Sequence, residues 1–237
     1  MLLCKDTPNV LRSVVSARQC HRGPLTALQG AARSHKVAMP SGPTTVFFCR
    51  HGETDWNASH KLQGRSDIPL NSAGLEQAQC IANVLKGQDL AAVFSSPLMR
   101  AKHTAEAIAT AIGSEVIVDP RLRERNLGIM EGRTGKEIQS EHPQVWEKWQ
   151  CLEELPPEAQ CEPEPEVVAR VEDMLFSIAK EHPGQAVALV SHGGVLRCLC
   201  KRTFGNASIS TLQVDGRTWQ SLRLDDASHL TNPGLPV

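Results

Sequence analysis

Two histidines in this chain stand in settings suited to chemistry, within Arg50-His51-Gly52-Glu53-Thr54 and Ser191-His192-Gly193-Gly194. Each follows a short apolar run, Val46–Cys49 in one case and Ala186–Val190 in the other. A third polar cluster, Ser95-Ser96-Pro97-Leu98-Met99-Arg100, follows the run Ala91–Phe94. One histidine after a strand reads most simply as a hydrogen-bonded loop residue. Two such loops, each with glycine after the histidine and accompanied by Arg50 and Arg100, reverse that reading in favour of a functional site. Neutral imidazole is a nucleophile near pH 7 and needs no metal. Arginine's planar fork suits phosphate, and phosphoryl transfer calls for fixed cationic donors around three charged oxygens.

These clusters need elements to bring them together. Val46–Cys49 reads as a buried strand. Leu75, Ala78, Ala82 and Leu85 recur at helical spacing, with Ser72 as N-cap and Gly87 past the end. Ala91–Phe94 is a second strand, after which Ser96-Pro97 opens a helix, a capping hydroxyl followed by a proline. That helix buries Leu98, Ala101, Ala105, Ile108 and Ile112 and stops at Gly113. Val116–Val118 is a third strand. Residues 120–165 are less regular, with Trp146 and Trp149 in a short helical stretch and a Pro/Glu-rich loop from Leu155 to Pro165. Val167, Val171, Met174 and Ile178 mark a long helix, Ala186–Val190 a fourth strand and Gly193–Arg202 another helix. Ile209–Val214 and Trp219–Leu224 flank a turn at Asp215-Gly216. Alternation of this kind predicts an α/β fold, three layers of helix, sheet and helix around a mainly parallel sheet. Ligands in such sheets bind outside the carboxyl ends of the strands, where all three clusters fall.

Composition agrees with one globular domain. The chain has 237 residues, 41% of them hydrophobic, with a formal net charge of −1. That charge suggests no nucleic-acid surface, and no apolar run approaches a membrane span. None of the eight cysteines forms a C-x-x-C pair, so free thiols are expected rather than disulfides or a zinc site. The first 43 residues carry Lys5, Arg12, Arg18, Arg22, Arg33 and Lys36 against Asp6 alone, leaving 19 basic and 25 acidic residues for the rest. Val10, Leu11, Val14 and Val15 could line one helical face there. This is the composition of a transit peptide for a chloroplast or mitochondrion, and equally that of a plain tail on a cytoplasmic protein. The predicted domain spans 44–231, with a short tail at 232–237.

Other phosphate chemistries lack their residues. Gly135-Lys136 looks like the end of a P-loop, but Glu137 stands where Ser or Thr belongs. No cysteine has an arginine six positions on, and no two aspartates are separated by one residue. None of these three phosphate-handling signatures is therefore present.

The stretch Arg50-His51-Gly52-Glu53-Thr54 with Asn57 resembles the signature of the histidine phosphatase superfamily, the phosphoglycerate-mutase-like proteins. The likeness continues through Gln63-Gly64, Pro69-Leu70-Asn71, Ser95–Ala101, Leu122–Gly128, Glu131-Gly132, Ser191–Gly194 and Asp226–Leu230. The resemblance implies that His51 takes the phosphoryl group and that Arg50, Arg100 and His192 form the phosphate pocket. It implies Glu124 as proton donor to the leaving oxygen, Asn57, Gln63 and Gly64 as further phosphate contacts, and Gly193 as a backbone N–H donor. By the residues alone, Glu124 would be a solvated loop charge between Arg123 and Arg125. The implied chemistry uses no metal and no cofactor, and its partner is a small phosphorylated metabolite; oligomeric state stays open. Where family phosphatases often have Gly-Glu-Ser, this chain has Cys161-Glu162-Pro163, and no catalytic role is expected there. Family mutases carry a longer segment after the acid glutamate, an Arg-Arg pair and a tyrosine three residues on. Here Leu127 occupies that place, and the chain has no Arg-Arg and no tyrosine, which favours hydrolysis over isomerisation.

Overall fold

The computed structural model describes residues 41–231. The expectations for residues 1–40 and 232–237 lie outside the described residues. Strand β1 (Thr44–Arg50) leads through the short helix α1 (Asp55–Ala58) to α2 (Ser72–Leu85). Strand β2 (Leu90–Ser95), helix α3 (Met99–Ile112) and strand β3 (Val116–Val118) follow. Helices α4 (Gly135–Glu141), α5 (Pro143–Gln150) and α6 (Glu164–Glu181) precede β4 (Ala186–Ser191) and α7 (Gly193–Cys200). The described chain closes with β5 (Ile209–Asp215), β6 (Thr218–Asp226) and α8 (Ser228–Thr231).

The six strands lie in the order β3-β2-β4-β1-β5-β6, parallel from β3 to β1, with β5 and β6 added antiparallel. Alternate residues of each strand face opposite layers, as the pleat requires. Val46, Phe48 and Leu189 pack with Val171, Leu175 and Leu196 of α6 and α7. Phe47, Cys49 and Val190 pack with Ile81, Leu85 and Ile108 of α2 and α3. This is the three-layer arrangement that the alternation predicts. A smaller apolar cluster of Leu127, Met130, Ile138, Val145 and Ala159 holds the 120–160 segment together. Among the described residues all cysteines are free, and no helix is long and apolar enough to cross a membrane.

Three local readings need correction. The N-cap of α2 is Asn71, whose side chain accepts from Gly74 N at 2.8 Å, rather than Ser72. Leu75 is 55% exposed, because the first turn of α2 packs through Gly74 against the Glu53 carbonyl and turns Leu75 outward. Helix α3 begins at Met99, not at Pro97, and Asp67 accepts from the Met99 N–H at 2.7 Å from outside the helix. Ser96 is therefore not the cap, and its hydroxyl serves the site described next.

Candidate active site

Strands β1, β2 and β4 end side by side, with Arg50 opposite Ser191 and Ser95 opposite Val190. The loops beyond them deliver His51, Ser96 and His192 to one place. The His51 and His192 rings lie 5.2 Å apart, centroid to centroid. A cavity of about 240 Å³ opens there, lined by Arg50, His51, Asn57, Gln63, Gly64, Arg100, Glu124 and Gly193 among others. Eight of the nine residues singled out from the sequence thus share one cavity wall. His192, the ninth, is fully buried behind His51.

His51 has its tautomer set by its own loop. Its Nδ1 lies 2.6 Å from the Gly52 carbonyl, an acceptor only, so Nδ1 carries the proton. Nε2 is then bare, and accepts from Arg100 Nε at 3.2 Å. Burial, reinforced by Arg100 and Arg50, holds the imidazole well below its usual pKa. The result is a neutral ring with its lone pair among cations.

Arg100 sits in the first turn of α3 with no exposed surface. Its Nη1 and Nη2 donate to the carbonyls of Ser66 at 2.7 Å and Gly64 at 2.8 Å. Those carbonyls belong to a loop fixed by Glu131, which accepts from Arg65 N at 2.9 Å and from the Ser66 hydroxyl at 3.2 Å. Burial pushes the Arg100 pKa down to about 10, so it stays charged at neutral pH. Arg50 donates through Nη1 to the Phe204 carbonyl, while its Nε is buried without a partner. Gly193 leaves room for that guanidinium, since a Cβ there would stand 3.0 Å from Nε.

His192 Nε2 lies 2.7 Å from Ser96 Oγ, which also accepts from Leu98 N at 3.3 Å. With the serine hydroxyl donating to Nε2, Nδ1 holds the proton and has no partner. Asn57 Oδ1 accepts from Thr54 N, the Thr54 hydroxyl and Asn206 Nδ2, leaving the amide nitrogen of Asn57 as its spare donor. Gln63 is buried with Oε1 unpartnered. The carbonyl of Gly64 is committed to Arg100, so that residue shapes the phosphate end through its neighbour.

Glu124 is 7% exposed, far from the solvated charge that its Arg-flanked position suggests. Oε1 accepts from Arg125 N at 2.8 Å and Oε2 from Gly194 N at 3.0 Å. Burial raises its pKa above the ordinary glutamate range, outweighing the pull of Arg100 and Arg50. Gly194 allows this contact; a Cβ there would meet Glu124 Oε1 at 2.5 Å. Ser96, Glu131 and Gly194 are the supporting residues that sequence reasoning missed as such. The pairs they form join distant segments, and spacing alone carries no signal for them. Glu162 likewise anchors structure, bound by Arg170 at 2.9 Å and by Asn126 N at 3.2 Å.

The lining holds four cationic side chains, Arg50, Lys61, Arg100 and Arg197, against the single acid Glu124. Among the described residues no cluster of metal-ligating side chains occurs. The arrangement can bind a phosphate dianion, attack it with an imidazole and protonate what leaves.

Comparison with known proteins agrees with this geometry. The chain is 36% identical over 213 residues to the metal-independent phosphoserine phosphatase of Arabidopsis thaliana, covering 85% of this chain and 90% of that protein. It is 35% identical to a probable phosphoglycerate mutase, GpmB, of Cronobacter sakazakii, over 80% of this chain and 96% of that one. A phosphoserine phosphatase mutant from Entamoeba histolytica, solved in complex with phosphoserine, superposes with a TM-score of 0.70 at 26% identity, covering 79% of this chain and 99% of that chain. The family model of the histidine phosphatase superfamily, branch 1, matches residues 46–227, and this chain belongs to that superfamily.

Proposed function

We propose that this protein is a metal-independent phosphatase that hydrolyses small phosphate monoesters through a phosphohistidine at His51. The observation that carries the reading is the His51 tautomer, with Nδ1–H tied to Gly52 and a bare Nε2 beside the buried Arg100 and the half-buried Arg50. The ester phosphate would exchange for the Arg100–His51 contact. It would take up the unpartnered Arg50 Nε and His192 Nδ1 donors. Nε2 attacks phosphorus, the bond to the ester oxygen breaks, and Glu124 gives its proton to the departing alkoxide. Glu124, now a carboxylate held by the Arg125 and Gly194 N–H groups, takes a proton from water as that water attacks the phosphohistidine. Inorganic phosphate leaves and His51 is regenerated. The fixed positive charge that a metal would otherwise supply comes from Arg50 and Arg100.

Hydrolysis is preferred to mutase chemistry because the 120–160 segment is a small cluster beside the site, not the longer cover that shields a phosphoenzyme from water. The test is to quench turnover and look for acid-labile, base-stable phosphate on the protein. Labelled His51 in the natural chain, with label and activity both lost in His51→Ala, is the expected result. Full activity in that variant would remove the proposal.

Residues 1–43 are read as an organelle transit segment, on composition alone. Fused to a reporter, they should carry it into a chloroplast or mitochondrion, and their removal should leave turnover unchanged. A reporter spread through the cytosol would make them a plain tail.

A further inference from the structure

We infer that the preferred substrates carry a carboxylate on the leaving group, held by Arg197 where its guanidinium rests on Trp149. This builds on the phosphatase reading and concerns the part of the cavity beyond the phosphorus.

Helix α7 sets the position. Its first residues, Gly193 and Gly194, touch the reacting end, since the Gly194 N–H holds Glu124. Arg197 stands three to four residues on, hence one turn up the same helix face. Glu124 protonates the ester oxygen, so the next groups of the substrate run past it toward Arg197. One helical turn is about 5.4 Å of rise, the reach of a carboxylate a few bonds beyond that oxygen.

Among the described residues Arg197 is also without a carboxylate partner. Its Cζ lies 4.4 Å from the centre of the Trp149 ring, and Nη2 donates to the Trp149 carbonyl. Its Nε and Nη1 donate to nothing among the described residues, and no carboxylate lies within ion-pairing distance. Arg121 and Arg170, half-buried like Arg197, are both paired with acids. Burial lowers the Arg197 pKa, the neighbouring Cys198 thiol opposes this and the Arg125 charge adds to it; no carboxylate takes part. An unpaired guanidinium fixed by stacking on a cavity wall is a site for an anion. The free edge of one guanidinium fits a planar carboxylate with two parallel hydrogen bonds. Lys61 adds a further cation to the same lining, while Leu127 and Phe204 limit the space to a small group.

The experiment compares phosphoserine with phosphoethanolamine, which differ only in the carboxylate, on the natural chain and on Arg197→Met. Methionine keeps an unbranched stem against Trp149 and loses the charge. The natural protein should favour phosphoserine in kcat/KM by about 10- to 100-fold, the scale of one charge-assisted hydrogen-bonded pair. Arg197→Met should collapse that ratio toward one, mainly through KM, and Arg197→Lys should restore part of it. No preference in the natural protein, or an unchanged ratio in Arg197→Met, would overturn the inference. Calorimetric binding of the same two esters to His51→Ala separates this from the phosphatase reading. Selective binding of phosphoserine there upholds the carboxylate site even if no ester is turned over, and equal binding ends it even if p-nitrophenyl phosphate is hydrolysed well.

Discussion

At the phosphate end of the cavity, Arg100 has no exposed surface and each of its three nitrogens donates to a backbone carbonyl or to His51. At the other end, Arg197 lies half-buried on an indole face with donors to spare. Two of the three contacts that hold the first guanidinium are to main-chain carbonyls. The second is held by a neighbouring side chain and by one carbonyl from a separate helix. The contrast teaches which part of the protein is committed to a reaction and which to a substrate. Chemistry common to every phosphate ester is fixed by backbone geometry, whereas the fit to one leaving group rests on exchangeable side chains.

The sharpest way to break this comparison is Arg100→Lys. A lysine cannot reproduce three directed donors, so kcat/KM should fall by about 10²-fold or more on every ester alike. A loss confined to one substrate would mean that the phosphate end also selects. Next in size is Glu124→Gln, which should slow alkyl esters by about 10²–10⁴-fold and p-nitrophenyl phosphate far less, because nitrophenolate needs little protonation. The two substrates should also differ in pH profile. For alkyl esters kcat/KM rises with pH through the lowered His51 pKa and falls again through the raised Glu124 pKa. For the aryl ester the falling limb should be weak. Equal losses and matching profiles would leave Glu124 as a positioning group only.

The smallest effect concerns stability. His51 and His192 stay neutral when folded, so below about pH 6.5 the unfolded chain binds protons that the folded one does not. Each should cost up to about 1.4 kcal/mol per pH unit as the solution is acidified. Glu124 works in the opposite sense, since its raised pKa makes the folded chain take up a proton first. Urea midpoints at successive pH values should therefore fall on acidification, and more steeply in Glu124→Gln than in the natural chain. A flat dependence would place the two histidines in contact with solvent.

Much of this site was legible because its residues sit immediately after strands. Apolar runs followed by Arg-His-Gly or Ser-His-Gly announce both the sheet and the edge where loops collect. The role of Glu124 needed the family likeness, since its burial between two backbone N–H groups depends on Gly194, 70 positions away. The caps were misread where the true partner came from elsewhere in the fold, as Asp67 does for α3. Ser96 has a capping residue's composition but faces a histidine 96 positions on. The stacking of Arg197 on Trp149 joins two helices, and helical periodicity marks each without saying that they meet.

The strand order has a kinetic meaning as well. His51 follows β1, yet β1 pairs with β4 and β5 from the far end of the chain, and Asn57 is fastened to Asn206 across 149 positions. Contacts so distant form only after large loops have closed, which makes them late events in folding. A chain emerging from synthesis therefore carries His51 early but has no pocket around it. On the proposed mechanism, phosphate-ester chemistry at His51 would wait until β4 and β5 have docked.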